Sequence, residues 1–177
     1  MDTTIRVMID IETTGRTPGC NVLSIGATTF LDVEAPQGFY EKIRWDPLNP
    51  DFSDEKDTMA WWRNQIPEVA HEAFSGTSYY IDVLRDLSNY IRMVRGKYRD
   101  FLIYANGAAF DFPILEYAFR ATGIEIPWQY YERQCYSTLK KHFPRVPNPR
   151  FNGNKHNALS DARNQADHCE AILKFIS

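Results

Sequence analysis

An α/β domain built on a mixed sheet is the fold class this sequence predicts, and three observations carry it. Three strand-like stretches follow one another between Ile5 and Trp45, as the antiparallel part of such a sheet would. Helical periodicity takes over from Asp57 onward. A short apolar strand, Phe101 to Ala105, then returns between helical segments.

Taken in order, Ile5 to Ile11 is a nearly unbroken apolar run and reads as a buried first strand. A turn at Gly15 and a Thr-Pro-Gly-Cys-Asn loop lead to Val22–Leu31, a β-branched hairpin partner. Gly38 to Trp45 alternates as a third strand, and the proline-containing stretch Asp46 to Asp54 is a loop. Asp57 to Gln65 is helical, and Pro67 opens a short helix that runs through Phe74. Tyr80 to Lys97 is strongly amphipathic. Ile81, Leu84, Leu87, Ile91 and Val94 recur at helical spacing, with Gly96 as a stop. After the Phe101 strand, Pro113 begins a helix that Gly123 ends, and a short helix follows around Ser137 to His142. Phe143 to Lys155 holds three prolines and reads as a flexible segment. The last helix spans Ala158 to Ile176, with Leu159, Ala162, Ala166, Cys169, Ile172, Leu173 and Ile176 on one face. No repeat or linker divides the chain, so residues 1–177 are expected to form one domain.

Composition narrows the class. A hydrophobic fraction of 44% and a charged fraction of 24% are those of a globular protein with a real core. The net charge of −3 argues against a broad surface that coats nucleic acid. The aromatic fraction of 14% is high, and aromatic rings serve cores and base-stacking platforms alike. Cys20, Cys135 and Cys169 are odd in number and have neither zinc nor disulfide spacing, the pattern of a reducing compartment. No apolar run approaches the roughly 18 residues needed to span a membrane, and no signal-peptide pattern is seen. A soluble, cytoplasmic protein is expected.

The chemistry lies in three places. Asp10 and Glu12 are two apart at the end of the first strand, so both point to one face, about 7 Å apart. Two acids so placed repel unless they share a cation. Asp111 follows the Phe101 strand at the mouth of the Pro113 helix, where an N-cap role explains it as well as a ligand role does. His156 sits just outside the last helix, which Asn157 caps, and Asp161 lies in its second turn among apolar neighbours. The offset of five brings both side chains to the same helix mouth. Four carboxylates without a soft ligand suit Mg²⁺ or Mn²⁺ rather than zinc. Two such ions about 4 Å apart can hold an in-line phosphoryl displacement, and His156 can serve as a base near neutral pH.

The segments D-I-E-T-T-G at Asp10 to Gly15, N-G-A-A-F-D at Asn106 to Asp111 and H-N-A-L-S-D at His156 to Asp161 resemble the DEDDh exonucleases. These form a branch of the DnaQ-like superfamily with the ribonuclease H-like fold. The order of the motifs matches over nearly the whole chain. With W-W-R-N-Q at Trp61 to Gln65 and D-A-R-N-Q from Asp161, the chain looks most similar to phage and prophage enzymes of the exonuclease A (DexA) type. Asn106 departs from the pattern, standing three residues before Phe110 where two is usual.

The resemblance implies a mixed five-stranded sheet flanked by helices and metal-dependent 3′→5′ exonucleolysis of single-stranded nucleic acid to nucleoside monophosphates. DNA is favoured by the phage likeness, RNA 3′ ends are the alternative, and an inactive nucleic-acid-binding module is the rival from another class. Asp10, Glu12 and Asp161 would bind one of two Mg²⁺ or Mn²⁺ ions, Asp10 and Asp111 the other, with His156 as general base. Thr13 and Thr14, by their backbone, and Asn106, Phe110, Trp62 and Lys155 are the expected substrate contacts. Arg145 and Arg150 are read as phosphate contacts or as charges on a solvated loop. Relatives are often homodimers, an assembly open to this chain too.

Overall fold

A computed structural model describes residues 4–31, 38–96 and 100–177. The stretch with apolar side chains toward both faces becomes the central strand, β1 (Thr4–Thr13). It pairs antiparallel with β2 (Val22–Phe30) and parallel with β4 (Asp100–Ala105). With β3 (Phe39–Lys42) and β5 (Arg133–Cys135) outside these, the mixed sheet has the order β3-β2-β1-β4-β5. Between β3 and β4 lie α1 (Lys56–Arg63), α2 (Pro67–Phe74) and α3 (Tyr80–Arg95). Helix α4 (Ala108–Thr122) connects β4 to β5, and α5 (Tyr136–His142) and α6 (Ala158–Ile176) end the chain.

Alternation along β1 decides what each face meets. Ile5, Val7, Ile9 and Ile11 join a core with Leu84, Leu87 and Ile91 of α3 and Phe112, Leu115 and Phe119 of α4. Met8 points the other way, to Tyr104 and to Ala162, Ala166 and Cys169 of α6. Asp10 and Glu12 share the Met8 face by the same period of two, so α6 covers the strand that carries them.

One glycine sets how closely α6 can approach. Gly26 stands opposite Asp10 in the β1–β2 register. A Cβ there would lie 2.2 Å from the backbone of Ala158 and Leu159 at the start of α6. The missing side chain lets the helix terminus rest directly on β2 beside Asp10.

Four sequence expectations shift. Helix α4 starts at Ala108, five residues before Pro113, with Gly107 as an extended N-cap. Asp111 is therefore inside the first turn, where its carboxylate accepts the Gly107 N–H at 3.2 Å. Pro113 lies just past that turn and deprives the Ala109 carbonyl of its helical partner, a cost a periodicity reading takes as a boundary. The core face of α3 uses Val83, Leu84, Leu87 and Tyr90, whereas Ile81 is 43% exposed; its Lys97 end lies outside the described residues. Ile176, placed on the buried face of α6, is exposed where that helix runs past the sheet. The short strand β5 had no signal, because Arg-Gln-Cys shows no alternation. The buried Glu132 just before it pairs with Arg95 and accepts the Gln129 N–H at 2.7 Å, holding that strand at the sheet edge.

Gly26→Ala is expected to cost at least the 1–3 kcal/mol typical of overpacking, since backbone rather than a side chain must move. A urea titration measures this. Metal affinity should fall with stability, because the displaced α6 carries Asp161 away from β1.

Candidate active site

Three carboxylates converge at the C-terminal end of β1. Oxygens of Asp10, Glu12 and Asp161 all lie within 4.8 Å of one another, and each residue is half-buried. Asp161 arrives on α6, whose N-cap Asn157 accepts the Ser160 N–H at 3.0 Å. It belongs to the first helical turn rather than the second. The Asp161 carboxylate is held by the backbone N–H groups of His156 and Asn157. His156 adopts a left-handed backbone with φ of 60°, an unusual state for a residue with a side chain. Its ring rests edge-on against Trp61 and Trp62, with centroids 5.0 and 6.3 Å away.

Asp111 completes the set from α4. It is buried and receives the backbone N–H groups of Gly107 and Ile11, and its charge acts on both Asp10 and Glu12. Gln165, one turn beyond Asp161, donates its Nε2–H to Asp10 Oδ1 at 2.8 Å.

Electrostatically the cluster is under load. Burial, then the charges of Asp111 and Glu12, hold Asp10 well above the usual carboxylate range. Burial, then Asp161 and Asp111, push Glu12 up to about 8. Burial raises Asp111 to about 7 against the backbone N–H groups that favour its ionised form. Asp161 is raised too, by burial, with the His156 and Asn157 amides and the charges of His156 and Lys155 opposing. Among the described residues no lysine or arginine forms an ion pair with any of the four. Hard oxygen donors, close together and without a cationic partner, fit divalent magnesium or manganese.

A cavity of about 660 Å³ opens over the cluster. Glu12, Thr13, Asn106, Phe110, His156 and Asp161 line it, together with Trp61, which is 41% exposed. Trp62, expected as a substrate contact, also borders the cavity, but far less of it is exposed than of its neighbour Trp61. Trp62 is 2% exposed, packs against Phe74, and spends its indole N–H on the Thr13 carbonyl at 2.8 Å. The 100° offset between adjacent helical residues sent the other ring outward. Thr14 is likewise withdrawn: it is buried, its N–H donates to the Asn21 carbonyl and its carbonyl accepts from Glu55. Lys155 is exposed and outside the cavity lining, and so are Arg145 and Arg150. Gln165 went unremarked as a site residue although its spacing of four from Asp161 marks the same helix face.

The fold is the one that a DEDDh family nuclease shares. Solved structures share the fold. The nuclease domain of 3′hExo, a DEDDh family member bound to rAMP, aligns with a TM-score of 0.65 at 12% identity, over 97% of this chain and 92% of that one. Cell-death related nuclease 4 (CRN-4) aligns at 0.63 and 15% identity, over 99% and 66%. A 3′-exonuclease whose structure concerns 3′-end specific recognition of a histone mRNA stem-loop aligns at 0.62 and 12%, over 97% and 64%. The chain thus spans about two thirds of the latter two. No curated relative matches this sequence. The sequence matches the profile of the 3′-5′ exoribonuclease Rv2179c-like domain over residues 5–173, and the chain belongs to that family. It is a 3′–5′ exonuclease. The narrower likeness to phage exonuclease A finds no support in these matches.

The upward shifts fix the sign of a pH effect. A carboxyl whose folded pKa lies above its unfolded value favours folding below the unfolded pKa and loses that contribution as pH rises through the folded one. With Asp111 near 7 and Glu12 near 8, the metal-free protein should lose stability between about pH 5 and 8. Thermal melts with EDTA across that range test this. Glu12→Gln should flatten the slope, and Mg²⁺ should raise the melting temperature most at the alkaline end.

Proposed function

We propose that this chain is a 3′→5′ exoribonuclease that releases nucleoside 5′-monophosphates one at a time from single-stranded RNA ends. The carboxylate cluster of Asp10, Glu12 and Asp161, with Asp111 behind it, carries the reading. RNA replaces DNA as the favoured substrate because the matching family is one of exoribonucleases. The rAMP-bound and histone mRNA-recognising structures, as properties of those proteins, point the same way. The free thiols of Cys20, Cys135 and Cys169 support a reducing, cytoplasmic setting, and no described helix is long and apolar enough to cross a membrane.

Asp10, Glu12 and Asp161 would hold one divalent ion, and Asp10 with Asp111 a second. Bound there, such ions lower the pKa of a water and neutralise the charge on the leaving oxygen. The water oxygen attacks the terminal phosphodiester, the upstream 3′-oxygen leaves, and the terminal nucleotide departs with its 5′-phosphate. His156 takes the water's proton on a ring nitrogen, its plane fixed by the two tryptophans. Gln165 fixes the rotamer of Asp10 by occupying one of its oxygens. Trp61 and Phe110 offer the terminal base apolar surface within the cavity.

Matched 5′-labelled RNA and DNA strands with Mg²⁺ or Mn²⁺ test the assignment. RNA should shorten stepwise from its 3′ end faster than DNA, and EDTA should stop both. Cleavage of circular RNA at a comparable rate would sink the exonuclease reading. His156→Ala should slow single-turnover hydrolysis by about 10² to 10⁴ while calorimetry shows metal still bound. A collapse of metal affinity alongside rate would make His156 a ligand instead.

The tryptophans should separate. Trp61→Ala is expected to lower kcat/KM about tenfold or more, the scale of one base stack, with little change in melting temperature. Trp62→Ala should cost roughly 3–5 kcal/mol of stability as a buried large-to-small change. Equal melting temperatures for the two variants would refute this division.

A further inference from the structure

A second cavity, of about 150 Å³, adjoins the first, and the two share Asn106, Asp161 and Gln165 in their walls. Asp161, alone of the four acids, therefore borders both spaces. Lys140, Tyr136, Asn148 and Phe151 form the rest of the smaller space. Its walls are tied in place. Asn164 clasps Asn152 through two reciprocal hydrogen bonds of 2.8 Å, which fixes the Phe151 segment to α6. His168 Nε2 meets the Val146 carbonyl at 3.1 Å and its Nδ1 meets the Tyr136 hydroxyl at 2.7 Å. Lys140 lies over the Tyr136 ring, with Nζ 5.0 Å from the centroid. Among the described residues it forms no ion pair, although it is half-buried in a cavity that Asp161 also lines.

The charge distribution gives the two spaces a direction. On the 3′ side of the scissile phosphate a substrate presents only a nucleoside ending in a hydroxyl. On the 5′ side the next nucleotide carries a further phosphate. The larger cavity has aromatic walls, and its arginine, Arg16, is exposed and already faces Glu55. The smaller one is too small for a base and sugar together and holds an unpaired cation. A cation without an acidic partner beside an acidic centre is expected to find an anion.

Resting on the proposed exoribonuclease activity, we propose that the Lys140 cavity is an upstream subsite that binds the 5′-phosphate of the penultimate nucleotide. The larger cavity then takes the terminal nucleoside. Lys140 replaces Arg145, Arg150 and Lys155 as the phosphate contact, because those three are exposed and line neither of the two spaces.

The test compares ribodinucleotides with and without a 5′-phosphate, which differ only in the group this subsite would hold. For the wild type, the 5′-phosphate should raise kcat/KM about tenfold, the scale of one charge-assisted hydrogen bond. Lys140→Gln should bring that ratio close to one, and Lys140→Arg should keep most of it. Since Lys140 is partly exposed, both variants should melt near the wild type, and the ratio is internal to each protein. A wild-type ratio near one, or a high ratio retained in Lys140→Gln, overturns the subsite while leaving the exonuclease reading in place. Failure of the wild type to hydrolyse any RNA overturns both.

Discussion

The repulsion among four buried and half-buried carboxylates is the constraint on which this structure depends. Asp10, Glu12, Asp111 and Asp161 come from β1, α4 and α6, so no local segment can relieve the repulsion by itself. Packing brings these elements together regardless. Isoleucines of β1 bind α3 and α4 on one face, while Met8 and the alanine stripe of α6 close the other. Hydrophobic burial thus assembles a site that its own charges oppose. The opposition is moderated by backbone amides that reach Asp111 and Asp161, and by Gln165 at Asp10. A divalent ion removes the rest, so folding and metal binding share a single free-energy balance.

Helix α6 converts that balance into geometry. Its first turn delivers Asp161, the residue before its cap delivers His156, and its second turn delivers Gln165. All three depend on the helix terminus lying flat on β2, which the bare backbone at Gly26 allows. The left-handed state of His156 belongs to the same arrangement, since it presents the amide to Asp161 while the ring meets the tryptophans. Strain at such a position persists only where its surroundings over-determine it. Here the cap, the carboxylate and two rings do so.

How much could be read beforehand follows from the range of each signal. The period of two placed Asp10 and Glu12 on one face, and the apolar stripe with Asn157 as its cap bounded α6 at both ends. Those are local patterns with strong physical causes. Reading Asp111 as a helix-mouth residue failed by one turn, because Pro113 masks a helix that starts earlier, at Ala108. Which tryptophan is buried could not be read from adjacency; it follows from where Phe74 and the Thr13 carbonyl lie in space. Strand β5 is too short to carry a pattern, and it takes its place from its neighbours and from the Arg95–Glu132 pair. The loop before α6 looked basic in sequence, yet its arginines are exposed while Lys140, on the preceding helix, lines the small cavity that Asp161 also borders.

That last contrast bears on how an acidic chain handles a polyanion. A net charge of −3 gives no long-range attraction for RNA, and the acid cluster alone would repel it. Attraction would therefore be local, as the subsite proposed at Lys140 would make it. Lys140, half-buried, shares its cavity with Asp161 and, among the described residues, forms no ion pair with it. Ions held by the acids would offset their charge and weaken the repulsion that a phosphate meets there. Strand binding would then be linked to metal binding, each favouring the other.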